Sequence, residues 1–565
     1  MTDLTFTAEQ HRDMSNAIAA LSMDAVQRAN SGHPGMPMGM ADAATVLFSQ
    51  FLKFDPKAPD WADRDRFILS AGHGSMLIYS LLHLTGYEAV TMDQIKNFRQ
   101  LGAITAGHPE YGHVPGVETT TGPLGQGIAN AVGFALAERQ LNARFGDEIV
   151  DHYTYVVAGD GCLMEGVSQE AIGLAGHLGL NRLIVLWDDN NITIDGPVTL
   201  SSSTDQIARF KAAKWNTIAI DGHDRGAVAA ALRKAKASDK PTLIACKTTI
   251  GKGAPTKAGL NKAHGSPLGD EEIAGTRKAR GWDHAPFEIP DHVYADWAKP
   301  AAAGTQAHAD WKMRLKAHPK GDEFNRAMAG ELEAGWLEAF QAYKESVAKD
   351  MPSMATRVSS NKALAPLTEL LSDVISGSAD LEGSNKTKTS ATSNEIQAGS
   401  FDGRYVNYGI REHGMAAAMN GMALHGGVIP YSGLFMVFMD YCRPSVRLAA
   451  LMGLRTIYVA THDSIGVGED GPTHQPVEHL ASLRAIPNCY TYRPADALEV
   501  AECYELAFQN KTAPSVMALT RQGVPAVRNN ASKNMCERGA YIIRAGKGAD
   551  AVSYTHLTLP TICSV

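Results

Sequence analysis

No run in this 565-residue chain is long and apolar enough to span a membrane. The first residues, MTDLTFTAEQHRDMSNAI, carry acids where a secretory signal would carry a basic and then an apolar run. A cytoplasmic protein with no membrane partner is the expectation. Cysteine is scarce: seven residues (Cys162, Cys246, Cys442, Cys489, Cys503, Cys536, Cys563), an odd number without a CxxC pair, which argues against a disulfide framework and for reduced, buried thiols. Basic residues nowhere gather into a stripe, and the net charge of −8 is spread along the chain, so nucleic-acid binding is excluded as the main role.

What is present is material for large cores, with 44% apolar and 20% charged residues over a length that suggests three or so globular units. From about Ser15 to Thr249, strand-like runs alternate with helical patterns, as in RFILSAGHGSMLIYSLLHLTG, YTYVVAGDGCLMEGVSQEAIGLAGHLG, RLIVLWDDNNITIDG and TLIACKTTIG. A second alternating series begins near Arg357, with strands expected at VISGSAD, RYVNYG, GVIPYSG, RTIYVAT and SVMALT, and the polar run NKTKTSATSNEIQAG expected as a loop. Such alternation predicts parallel sheets covered by helices on both faces. No fixed-period repeat is visible. The expected organisation is an α/β domain over 1–309, a charged helical connection over 310–356 and a second α/β domain over 357–535.

The stretch VVAGDGCLMEG reads as strand, glycine turn and helix, an arrangement that seats phosphate. It is neither a dinucleotide fingerprint, since the glycine after Gly159 and Gly161 comes two positions late at Gly166, nor a Walker loop, since lysine and hydroxyl are missing. What remains is Asp160 at one strand end and, thirty residues on, the DDNN cluster at the next. Consecutive strands of a right-handed βαβ unit end on the same sheet edge, so Asp160 and Asn190 are expected to converge as hard oxygen ligands for magnesium, with the metal holding a diphosphate. Taken alone, the glycine turn reads equally as a surface turn with a solvated aspartate.

The pairing resembles the diphosphate–magnesium motif of thiamine diphosphate enzymes. NSGHPGMPMG, AGHGSMLIYS, GHPEYGHVPGVETTTGPLGQGIANAVG, GDGCLMEG, DDNNITIDG, NKAHGSPLG, GSADL, YGIREHGM and THDSIGVGEDGPTHQP follow one another as transketolase motifs do, from about Ser15 to about Ala549. The resemblance to the transketolase family implies two thiamine diphosphate-binding-type, doubly wound parallel-sheet domains. It implies ketol transfer between sugar phosphates in the pentose phosphate pathway or Calvin cycle, and a homodimer with active sites at the subunit interface. Related dihydroxyacetone and deoxyxylulose-phosphate synthases, and a non-catalytic homologue, are the alternatives.

The resemblance also implies site residues. Asp160, Asn190 and Ile192 would hold Mg2+, with Ca2+ or Mn2+ as substitutes, and His73, Gly122, Leu124 and Gly161 would surround the cofactor. His33, His108, His264 and His474 would serve catalysis along the substrate channel; each of the first three, like His73, adjoins a glycine that leaves room for a ligand. Glu412 would hydrogen-bond the aminopyrimidine, although the residue itself reads equally as a first-turn acid favoured by the helix dipole. Phe435, Phe438 and Tyr441 would stack on that ring, or form a core stripe. Arg357, Ser384, His462 and Arg521 would clamp the sugar phosphate together with His33, while Asp470 would accept from a substrate hydroxyl.

After Ala551 or Val552 the text departs from the family pattern. The expectation is that 536–552 begin a third α/β domain that is largely missing and that 553–565 are foreign to the gene.

Overall fold

The computed structural model of the protein describes residues 5–542. The chain forms two compact units that divide between Gly321 and Asp322, inside the stretch expected to be a helical connection. Helices Asp291–Ala317, Gly321–Met328 and Trp336–Asp350 occupy that region. No helix among the described residues is long and apolar enough to cross a membrane.

The first unit is built on five parallel strands, β1 (Arg66–Leu69), β2 (Thr154–Gly159), β3 (Leu183–Asp189), β4 (Asn216–Asp221) and β5 (Thr242–Lys247), in the order β1-β2-β3-β5-β4. The central strands are apolar on both faces and buried along nearly their whole length, the pattern a parallel sheet covered by helices requires. The edge strand β4 is half-exposed, so NTIAID lacks the continuous apolar run and was not expected as a strand. Around the sheet lie helices such as Ala8–Ala29, opened by a reciprocal cap between Thr7 and Gln10, and Gln126–Phe145 beside Gly166–Leu178.

The second unit holds six parallel strands: β7 (Val374–Ser378), β8 (Tyr405–Asn407), β9 (Ile429–Phe435), β10 (Ile457–Thr461), β11 (Tyr490–Tyr492) and β12 (Ser515–Leu519). Their order is β11-β12-β10-β9-β7-β8. A short antiparallel pair, β6 (Met354–Ala355) with β13 (Gly523–Val524), stands apart from the sheet. After β7 the chain steps one way to β8 and then back across to β9, so the strand order reverses at β7/β9. In open α/β sheets that reversal opens a crevice beyond the strand carboxyl ends. The polar run expected as a loop carries no helix or ladder strand between Lys386 and Gly399, only isolated bridges.

Gly304 lets helix Asp291–Ala317 lie directly on the backbone at Phe54: a Cβ there would sit 1.6 Å from the Phe54 carbonyl oxygen. Gly304→Ala is expected to destabilise the first unit by about 1–3 kcal/mol through overpacking. Differential scanning calorimetry checks this, and an unchanged midpoint would mean that the helix shifts freely.

Candidate active site

In the first unit the strand carboxyl ends converge on a cavity of about 270 Å³. Gly159 of β2 pairs with Asp188 of β3, so Asp160 and Asn190 leave the same sheet edge side by side. Both line the cavity, together with His73, Gly122, Leu124, Gly161, Ile192 and His264, so all eight of these sequence candidates share one wall. Gly122 has φ +132° and stands where a Cβ would meet the His108 ring at 3.0 Å, so glycine is required for backbone to reach the cavity.

Asp160 is buried, with Oδ1 accepting from Trp187 Nε1 at 3.2 Å and Oδ2 buried without a partner. Burial, reinforced by the neighbouring charge of Asp189, pushes its carboxyl up to about 6 against the pull of the Trp187 N–H. Asn190 is held by donating to Asp188 Oδ2 at 2.7 Å and by accepting from the Ile192 N–H at 2.9 Å. Asp188, itself buried and bonded by Thr248 Oγ1, is pushed up to about 7 by desolvation. A partnerless buried carboxylate oxygen beside an oriented amide is what a hard divalent cation would satisfy, so the residues present fit a metal-bound diphosphate.

Four of the candidate histidines form one cluster. His73 and His264 stack at 4.9 Å, and His33 stands 5.2 Å from His73, 5.6 Å from His264 and 6.4 Å from His108. Burial lowers all four; His33 falls to about 4 and His73 to about 3, each further depressed by His264. These imidazoles are neutral near pH 7 and can donate to or accept from sugar hydroxyls.

The second unit presents its candidates at the carboxyl ends of its own strands. Glu412 opens helix Glu412–His425 after β8 and is buried, which raises its carboxyl pKa. Phe435 ends β9 and stacks on Phe438 at 6.0 Å, and Phe438 in turn stands 5.8 Å from Tyr441. Tyr441 is 63% exposed, so the three rings are not a core stripe. His462, in the left-handed region at φ 60°, packs on Phe435 at 3.9 Å, and His474 stands edge-on to Phe438 at 5.3 Å. His462 Nε2 is 3.8 Å from Asp470 Oδ2, and burial together with Arg357 lowers His462 to about 4.

Arg357 donates from Nη1 to the Ser384 carbonyl at 3.1 Å, and its Nε is buried without a partner. Burial and the charge of Arg521 lower its pKa. Arg357 lies in the first turn of helix Thr356–Leu370 and Ser384 in the short helix Glu382–Asn385. Arg521 pairs with Glu469 of the histidine loop. Sequence reasoning missed Met36, Asp188 and Ile250 in the cavity wall. Each reads as a core residue or a plain acid, and only the fold turns it inward.

Known proteins were then compared. Two family models match: the thiamine diphosphate-binding domain of transketolase over residues 10–333 and the pyrimidine-binding domain of transketolase over 352–527. The transketolase of Cereibacter sphaeroides is 59% identical over 538 residues, spanning 95% of this chain and 82% of that protein. That of Rhodobacter capsulatus is 58% identical over 95% of this chain and 80% of its own length. Among solved structures, the transketolase of Leishmania mexicana superposes with TM-score 0.89 at 44% identity, over 94% of this chain and 80% of its own. A Pichia stipitis transketolase in complex with sedoheptulose 7-phosphate gives 0.90 at 41%, over 96% and 82%. Relatives match over 95% of the chain, which does not bear out the expected truncation, and the tail expected from 553 falls outside the described residues. Residues 553–565, like Cys563, lie outside the described residues; the six described cysteines are free and buried.

The depressed histidines predict acid sensitivity. Their folded pKa values lie below the ordinary 6.5, so between about pH 6.5 and 4 the unfolded chain binds more protons than the native one. Stability is therefore undiminished above about pH 6.5 and falls as pH drops through that window. Chemical denaturation of cofactor-free protein is expected to show this loss, and His73→Asn to flatten it. A variant with the wild-type slope would place the titration elsewhere.

Proposed function

The chain belongs to the transketolase family and is a ketol-transfer enzyme of that family, and on that premise we propose how its own residues divide the work. The reaction passes a two-carbon ketol unit reversibly from a ketose phosphate such as xylulose 5-phosphate to an aldose phosphate such as ribose 5-phosphate. Asp160, Asn190 and Ile192 would hold Mg2+, and Gly122, Leu124, Gly161 and His73 would surround the diphosphate of thiamine diphosphate. The observation that carries this reading is the partnerless buried oxygen of Asp160 beside the oriented Asn190 amide. The active enzyme is a cytoplasmic homodimer of the pentose phosphate pathway or Calvin cycle, in which the first unit of one copy meets the second unit of the other. The exposed apolar side chains Ile410 and Ile465, near Glu412 and His474 in sequence, support a covering partner.

When bound, thiamine diphosphate supplies an acidic ring carbon that adds to a ketose carbonyl and stores the electron pair left by C–C cleavage. Glu412, whose carboxyl pKa is raised by burial, would hold a proton at the aminopyrimidine nitrogen. Phe435, Phe438 and Tyr441 seat the aminopyrimidine ring by stacking. Neutral His33, His108 and His264, together with His474, exchange hydrogen bonds and protons with substrate oxygens. Asp470 accepts from a substrate hydroxyl, which discriminates against sugars unable to donate there. Arg357, Arg521, Ser384, His462 and His33 take the terminal phosphate, the guanidinium forks matching its oxygens.

Cofactor-stripped protein is expected to be inactive with xylulose 5-phosphate and ribose 5-phosphate until thiamine diphosphate and Mg2+ are both restored. At 100 times its dissociation constant the cofactor adds about 2.7 kcal/mol to stability, and Asp160→Ala should abolish the corresponding thermal shift. A shift of wild-type size in that variant would remove the metal assignment.

Glu412→Gln is expected to keep cofactor affinity and lower turnover by about 10²–10⁴, because the amide can donate a hydrogen bond to the ring nitrogen but has no acidic proton to transfer. Stoichiometric binding measured calorimetrically alongside normal turnover would refute this role.

A further inference from the structure

Behind the cavity wall, a partly buried polar network ties the turn after β5 to helix Gly35–Val46. Asp42 of that helix accepts from Ser15 Oγ at 2.7 Å, from His223 Nδ1 at 2.9 Å and from Lys252 Nζ at 2.7 Å. On its far side His223 Nε2 takes the backbone N–H of Thr249 at 3.0 Å. A backbone amide only donates, so Nε2 is the acceptor and Nδ1 carries the proton toward Asp42. This geometry fixes the neutral Nδ1–H tautomer.

The turn is pinned at further points. The Gly251 N–H donates to the Gly35 carbonyl at 2.9 Å, and the Gly259 N–H donates to the Ile250 carbonyl at 2.9 Å. Contact is close enough that a Cβ on Gly39 would stand 2.9 Å from the Thr249 carbonyl oxygen, and one on Gly35 2.4 Å from that of Ala263. Met36 and Ile250, one on each tied segment, face the same cavity as His264, which directly follows Ala263. The network therefore sits where it sets the spacing of that wall without touching its contents.

We propose that His223 is a positioning residue for cofactor binding: in its Nδ1–H form it links the fixed charge of Asp42 to the Thr249 amide, and so holds Ile250 opposite Met36 and steadies the segment leading to His264. This rests on the cofactor reading above. The Asp42–His223 pair orients backbone, as an outer carboxylate–histidine pair orients a ligand elsewhere.

Two substitutions separate the bonds of His223. In His223→Asn the amide stops at the place of Nδ1, keeping Asp42 and losing Thr249, whereas in His223→Gln the amide oxygen reaches the Thr249 N–H. In the full-length protein with Mg2+, His223→Asn is expected to raise the thiamine diphosphate dissociation constant by about tenfold and His223→Gln by less than about threefold, with kcat at saturating cofactor held in both. In cofactor-free protein, amide hydrogen exchange should quicken across Thr248–His264 in the Asn variant alone. Wild-type affinity and exchange in His223→Asn overturn the proposal, as does faster exchange across the whole first unit with Gln no better than Asn. If wild-type protein itself takes up no thiamine diphosphate, the cofactor reading falls. The exchange comparison of Asn with Gln then decides whether His223 holds the turn.

Discussion

Asp160 bonds Trp187 through one carboxylate oxygen and leaves the other buried with no protein partner. An arrangement of that kind costs stability unless a cation completes it. Much of the first unit can be understood as enforcing it. β2 and β3 run in register so that Asp160 and Asn190 leave one edge together, and Trp187, on β3, supplies the N–H that fixes the carboxylate plane. Asp188 and Thr248 orient the Asn190 amide from behind. Neighbouring carboxylates at Asp188 and Asp189 add repulsion that a divalent ion relieves. The site is thus strained in its charge, and Asn191, between Asn190 and Ile192, also holds a left-handed backbone at φ 61°.

The second unit solves a different problem with the same architecture. On the proposed reading its residues meet an aromatic ring and an anion, and its strand ends carry rings and cations where the first unit carries oxygens. Phe435 closes β9 on the edge where the strand order reverses, and Phe438 and Tyr441 continue from it over two short turns. Arg357 comes from the helix that follows β6, and Arg521 lies between β12 and β13. Pairing of Gly523 with Ala355 therefore brings the two guanidinium-bearing segments together, although Arg357 and Arg521 are 164 positions apart. The antiparallel pair thus sets the register of the two segments proposed to clamp the phosphate.

How far this was legible in the sequence depended on whether a residue's chemistry shows in its neighbours. β2, β3, β5, β7, β9, β10 and β12 are apolar runs ended by glycine, hydroxyl or acid, and they were readable. β4 was not, because an edge strand is half-solvated and loses the run; β11, three residues long, offers too little pattern. The glycine-flanked histidines were legible as a group, since Gly32, Gly72, Gly107 and Gly265 mark the approaches of backbone to an open space. Their mutual ring contacts at 4.9–6.4 Å were not, being a product of four separate loops. Asp42 and His223 left no local signal at all. One lies in an apolar helix and the other after an edge strand, 181 positions apart, and only packing of helix Gly35–Val46 on the β5 turn joins them.

That division has a physical reason. A residue that touches a ligand needs space, and space is written locally, as a glycine or a turn. A residue that acts through another needs only contact, which any sequence separation can supply. Gly72 shows the first kind: a Cβ there would lie 2.6 Å from the Gly122 amide nitrogen, so two glycines fifty positions apart are required for one approach, and each is visible alone. Asp42 shows the second. Burial would push its carboxyl upward, but His223 and Lys252 hold it below the usual carboxylate range, so a permanent charge sits one imidazole away from the cavity wall. The pocket's shape is thereby tied to an ion-pair network outside its lining, and on the proposed reading the walls nearest the cofactor depend on charges that do not face it.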